Sequence, residues 1–105
     1  SKMTILRTYN AVTLVTVTSP VLTDFNQTGA FDFRNGSAFA VASESTLTLK
    51  IYRWMGDKWR DTGFTVGTGV SVVPDNPDPA TKPVFSAGFL MLGGGAGTVF
   101  VDIKG

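Results

Sequence analysis

Between Leu47 and Val66 the chain alternates apolar and polar residues with period two on both sides of Gly56-Asp57. Leu47, Leu49 and Ile51 alternate with Thr48, Lys50, Tyr52 and Trp54, and the return runs through Trp59, Asp61, Phe64 and Val66. Period two places successive side chains on opposite faces of a strand, which an α-helix cannot do. Gly-Asp suits a two-residue type II′ turn, because glycine takes the positive φ at its first position. That turn predicts Trp54 opposite Trp59, Tyr52 opposite Asp61, Leu49 opposite Phe64 and Leu47 opposite Val66. One face of this hairpin is aliphatic with Phe64; the other carries Tyr52, Trp54 and Trp59 between Lys50 and Asp61.

The rest of the chain has the same character. Thr, Val, Ile, Phe, Tyr and Trp make up 41 of its 105 residues, and these are the types that fit a pleated sheet. Glu44 and Gln27 are the single Glu and the single Gln, whereas helix-rich chains use both freely on exposed faces. Ala11 to Thr18 reads as an opening strand or part of a strand pair with Thr4 to Tyr9. Val12 and Leu14 share one parity and Val15 and Val17 the other, which predicts a bulge or a strand buried on both faces. Residues 1–25 are expected to be an N-terminal arm or an edge strand. Phe31 and Phe33, then Asn35-Gly36, then Phe39 and Val41 predict a second hairpin, with Arg34-Asn35-Gly36 as its loop and Phe31 opposite Phe39. Val70 and Val72 predict a strand ended by Pro74. Phe85 to Leu92, a run of glycines, and Thr98 to Ile103 predict a closing hairpin with Val99, Val101 and Ile103 inward and Asp102 outward. Pro74 to Pro83 reads as an exposed loop, because its prolines lack donors for a ladder. The expectation is an all-β chain, one antiparallel β-sandwich of jelly-roll type spanning residues 1–105, with about eight short strands. Its expected core is Phe31, Phe33, Phe39, Val41, Leu47, Leu49, Ile51, Phe64, Val99 and Val101.

Composition also narrows the function. There is no Cys and no His, which removes disulfides, zinc fingers, cysteine nucleophiles and the usual triad base. Nine Lys and Arg against eight Asp and Glu give a net charge of +1, so nothing in the charge balance points to nucleic acid or to an anionic membrane. No apolar run reads as a signal peptide or a membrane span. Asn26-Gln27-Thr28 and Asn35-Gly36-Ser37 match the glycosylation acceptor pattern, as chance allows in a Thr-rich chain. Gly93 to Gly97 is followed by a strand rather than by Lys-Ser/Thr and a helix, so it reads as a hairpin loop and not as a phosphate cradle. Asp75, Asn76 and Asp78 lack the calcium-loop frame, and turn chemistry accounts for them beside proline. Asp32, Glu44, Asp57 and Asp61 are the candidate acids; turn and solvated strand positions explain them better than a catalytic pair. No cofactor, metal or enzymatic activity is expected.

The constellation with functional content is the aromatic face of the hairpin. Tyr52, Trp54 and Trp59, with Lys50 and Asp61 beside them, are the candidate partner-binding residues, since Trp and Tyr dominate interface hot spots. The competing reading is that this face packs within the fold or staples its hairpin.

The run from Thr46 to Gly63, a strand, a Gly-Asp turn, Trp59 and Asp61-Thr62-Gly63, resembles a pattern met in small virion proteins of tailed bacteriophages. The ending is similar too: Gly88-Phe89 opens a strand, glycines follow, and Val99-Phe100-Val101-Asp102-Ile103-Lys104-Gly105 closes the chain. The resemblance covers roughly the C-terminal two-thirds, by strand and turn pattern. It implies a capsid decoration (cement) or accessory head protein that binds the major capsid protein on the outer surface of the head. The implied location is the virion, after synthesis in the host cytoplasm; the resemblance also implies a homo-oligomer, a trimer first, since symmetry makes a repeated contact economical. The alternatives are a carbohydrate-binding module, where the aromatic patch would stack on sugar rings, and a tail fibre or baseplate domain.

Overall fold

In the computed structural model, which describes residues 9–34, 36–44, 48–74 and 88–104, the chain forms eight strands and, among the described residues, no helix. They are β1 (Tyr9–Thr16), β2 (Ala30–Asp32), β3 (Ala38–Ser43), β4 (Leu49–Trp54), β5 (Trp59–Val66), β6 (Gly69–Pro74), β7 (Phe89–Gly93) and β8 (Gly97–Lys104). Sheet I has the order β1-β8-β3-β6 and sheet II the order β2-β7-β4-β5. All the pairings are antiparallel. Tyr9 meets Lys104, Phe31 meets Leu90, Ala38 meets Pro74 and Trp54 meets Trp59. The chain is thus one long hairpin folded back at Gly56-Asp57 and wrapped into two sheets, which is the jelly-roll arrangement.

Alternation builds the core between the sheets. Sheet I contributes Leu14, Phe39, Val41, Val99, Val101 and Ile103, and sheet II contributes Phe31, Leu49, Ile51, Leu90 and Leu92, all buried in one cluster. Phe31 from sheet II meets Phe39 from sheet I edge to face, with ring centroids 5.3 Å apart, and Phe33 meets Phe39 at 5.2 Å. Full burial of each such side chain contributes roughly 1.5–3 kcal/mol. Every expected core residue that the structure describes faces this interior; Phe64 is only partly buried. Leu47 and the loop with Asp75, Asn76 and Asp78 lie outside the described residues.

Three local expectations are corrected. Phe31 and Phe39 do not pair in a hairpin, because β2 joins β7 in sheet II while β3 joins β6 and β8 in sheet I. The short link through Phe33 crosses from one sheet to the other, and the two rings meet across the core instead of along a ladder. The glycine-rich run likewise links β7 of sheet II to β8 of sheet I and closes no hairpin. Strand β1 contains no bulge: its register against β8 is continuous from Tyr9 to Thr16, with Leu14 inward and Val15 simply exposed. It lies at the edge of sheet I.

The β4–β5 hairpin keeps its expected register near the turn and loses it further out. Gly56 has φ 95°, Met55 N–H donates to the Lys58 carbonyl at 3.0 Å, and Tyr52 faces Asp61. Beyond that point Leu49 faces Val66, not Phe64. Thr62, Gly63 and Phe64 there oppose Ile51, and Asp61-Thr62-Gly63 stabilises the excursion. The Asp61 carboxylate accepts from the Gly63 N–H at 2.8 Å, and the Thr62 hydroxyl donates to the Ile51 carbonyl at 2.7 Å. An even number of extra residues preserves sidedness, so Leu49 and Val66 both stay in the core.

Candidate functional site

The five residues singled out on the hairpin lie together on the outer face of sheet II. Trp54 and Trp59 are direct cross-strand partners with ring centroids 5.4 Å apart. The face is covered, however. The 17–29 segment linking β1 to β2 crosses it and places Phe25 against Trp54, Trp59 and Phe89 at 5.0, 5.9 and 4.9 Å. Trp59 and Met91 are fully buried and Tyr52 nearly so, forming a second small core with Ala30, Trp54 and Phe89.

Local chemistry holds this strap in place. Asp24 accepts from the Asn26 N–H at 2.9 Å in an Asx turn, and the Gln27 side chain accepts from the Val21 N–H at 3.1 Å. Its ends are tied to sheet II: Gly94 N–H donates to Val17 O and Leu92 N–H to Gly29 O, both at 3.0 Å. The aromatic face of the hairpin is therefore largely covered by the strap. The driving force for covering it is the large apolar area that bare Trp and Tyr would leave in water.

Beside the strap, polar groups of the hairpin remain open. Lys50 Nζ lies 3.9 Å from the Asp61 carboxylate, and Arg60 pairs with Asp57 at 3.1 Å. A shallow groove of about 420 Å³ runs between these groups and Leu22, with Tyr52 in its floor. Burial pushes the Tyr52 phenol above its usual range, and the Asp61 carboxylate adds to the shift. At the other end of the sheet, Arg34 hydrogen bonds hold the Asp32 carboxyl below the usual carboxylate range, and the same guanidinium sits 4.5 Å from the centre of the Phe89 ring. Asp32, Asp57 and Asp61 are thus each engaged by a cation, and among the described residues no group of three acidic, His or Cys side chains could hold a metal ion.

Among the described residues, four exposed large apolar side chains, Val21, Leu22, Phe25 and Met55, lie in the strap and the β4–β5 turn, and four others form a face on the far side of the molecule. The outer face of sheet I shows Val70 at 79% and Val72 at 72% exposure, with Val15 and Phe100 also exposed. Between them runs β3, whose outward residues are Ala38, Ala40 and Ala42. The charges on the outward positions of β8 are Asp102 and Lys104. Attention to the aromatic hairpin missed this face. The signal was present in β3 and β6, where Ala38 to Ala42 and Val70, Val72 and Val73 are apolar on both parities, as in strands covered on both sides.

Comparison with protein-family models, with curated proteins and with solved structures finds no match to this chain.

Proposed function

We propose that this protein is a structural virion component, a decoration protein that sits in many copies on the outer surface of a tailed-phage head and stabilises it. The observation that carries the reading is the apolar outer face of sheet I, where two valines stand more than 70% exposed on an edge strand without a charged residue. Exposed apolar area of this kind marks a protein contact surface. The hairpin and C-terminal patterns that resemble small virion proteins supply the setting, a head whose major capsid protein is the partner, and the apolar face supplies a contact among the copies arrayed there. The work proposed is mechanical rather than catalytic; of the candidate acids, Asp32, Asp57 and Asp61 each lie beside a cation. Copies arrayed on a shell gain avidity from several modest contacts, and binding the native shell alone raises its stability by linkage.

The carbohydrate-binding alternative needs an open aromatic platform, and Phe25 occupies the one that the hairpin offers.

The test is to mix the protein with undecorated heads, image where it sits, and challenge the particles with heat or osmotic shock. Ordered density on the outer shell and improved survival are expected. Binding to tails alone would move the protein to the fibre or baseplate, and unchanged survival at full occupancy would remove the stabilising role.

A further inference from the structure

The geometry points to a second copy of this chain as the partner of β3 and β6 on the outer face of sheet I, paired about a two-fold axis. The inference rests on the reading that copies are arrayed together, and it names which surface joins them.

The argument is one of shape and register. Antiparallel pairing sets Ala38, Ala40 and Ala42 beside Pro74, Val72 and Val70 respectively. The outward side of β6 is a ridge of two β-branched side chains and a proline ring; the outward side of β3, one strand away, is a trough of methyl groups. Neighbouring strands are about 4.8 Å apart. A two-fold axis parallel to these strands, lying between them in the contact plane, carries the ridge of each copy onto the trough of the other. Positions along the strand are unchanged by that rotation, so Val72 of each copy faces Ala40 of the other and Val70 faces Ala42. The contact is isologous, and large residues meet small ones at every level. Asp102 and Lys104 are on β8, on the far side of β3 from β6, and fall at the rim.

The area sets the strength. Two six-residue strands span about 20 Å by 10 Å, so the contact buries a few hundred Å² per copy, well short of the ~800 Å² per partner of a stable complex. The free protein should therefore pair weakly, with a dissociation constant on the order of 0.1–1 mM. Effective concentrations in the millimolar range, as on a crowded shell, would then fill the contact. This two-fold contact takes the place of the trimer implied by the resemblance.

Sedimentation of the full chain from micromolar to millimolar concentration tests the inference. A reversible monomer–dimer equilibrium is expected, and Val72→Asp should abolish it. Ala40→Leu should weaken pairing at least tenfold although it adds apolar surface, because it fills the trough. The exchange variant Ala40→Val with Val72→Ala restores a large residue opposite a small one and should pair again. Melting curves establish that each variant is folded, and the last two variants decide the matter if Val72→Asp is not. A protein that stays monomeric at millimolar concentration, a trimer, or tighter pairing of Ala40→Leu would overturn the inference. So would a dimer indifferent to all three changes, which would be joined by a strand edge. Head binding by the wild type is scored separately: decoration without self-pairing defeats only this inference, and self-pairing that leaves heads bare defeats only the decoration reading.

Discussion

The indole N–H of Trp59 donates a 2.9 Å hydrogen bond to the backbone carbonyl of Asp24, and its main-chain N–H donates to the Leu22 carbonyl at 2.7 Å. One residue therefore ties the strap to the start of β5, an edge strand whose donor would otherwise face water. Both bonds need the strap's carbonyls turned inward, which the Asx turn at Asp24 and the Gln27 side chain achieve.

Trp59 should accordingly be worth more than its ring area. Trp59→Ala empties a fully buried site and should cost about 3–5 kcal/mol in urea unfolding. Trp59→Phe keeps most of the apolar contact but orphans the Asp24 carbonyl, for a loss of about 1–3 kcal/mol. If Trp59→Ala unfolds at the wild-type urea midpoint, the strap is not part of the cooperative structure.

The β5 excursion makes a separate prediction. Gly63 has φ 86°, and a Cβ built there meets no atom within 4 Å. Gly63→Ala should thus cost backbone strain alone, about 1–2 kcal/mol. Asp61→Ala should destabilise the same turn by removing the acceptor of the Gly63 N–H. Thermal melts of the two variants check this; a Gly63→Ala protein as stable as the wild type would show that residue 63 does not need the left-handed conformation.

Side-chain direction was legible in the sequence, and strand partnership mostly was not. Phe39 and Val41, Leu49 and Ile51, and Val99, Val101 and Ile103 all point inward as their alternation predicts. Alternation reports which face is buried but carries no record of the neighbour. In a jelly roll most strands pair with segments remote in sequence, so reading 31–41 and 85–103 as local hairpins put strands of opposite sheets together. The turn at Gly56-Asp57 was legible because there the pairing is local. The strap was not: Leu22 to Gln27 has no periodic pattern, and its role depends on aromatic side chains some thirty residues away. For the same reason the sequence left open whether the Trp face is covered.

Two aliphatic residues on opposite faces provide a direct check of the assigned burial. Leu49 is fully buried and Val70 is 79% exposed. Leu49→Ala should lose about 2–5 kcal/mol of stability, whereas Val70→Ala should change it by no more than about 0.5 kcal/mol. Equal losses would mean that the outer face of sheet I is covered in the free protein.

Tyr52 supplies a pH signature. Its phenol is raised by burial first and by the Asp61 carboxylate second. In the unfolded chain the same phenol ionises near pH 10. Below that pH both states carry the proton and Tyr52 adds no pH dependence. Above it the unfolded chain releases the proton first, so stability falls as pH rises toward the folded value. Tyr52→Phe removes this contribution, and the gap between variant and wild type should narrow or reverse above about pH 10. Lysines and the other tyrosine, Tyr9, are common to both proteins and cancel in the difference. Urea unfolding at neutral pH and at successive steps above pH 10 measures it. A gap that stays constant across that range would show that the Tyr52 phenol ionises as readily in the folded protein as in the unfolded chain, and that the strap does not seal it from water.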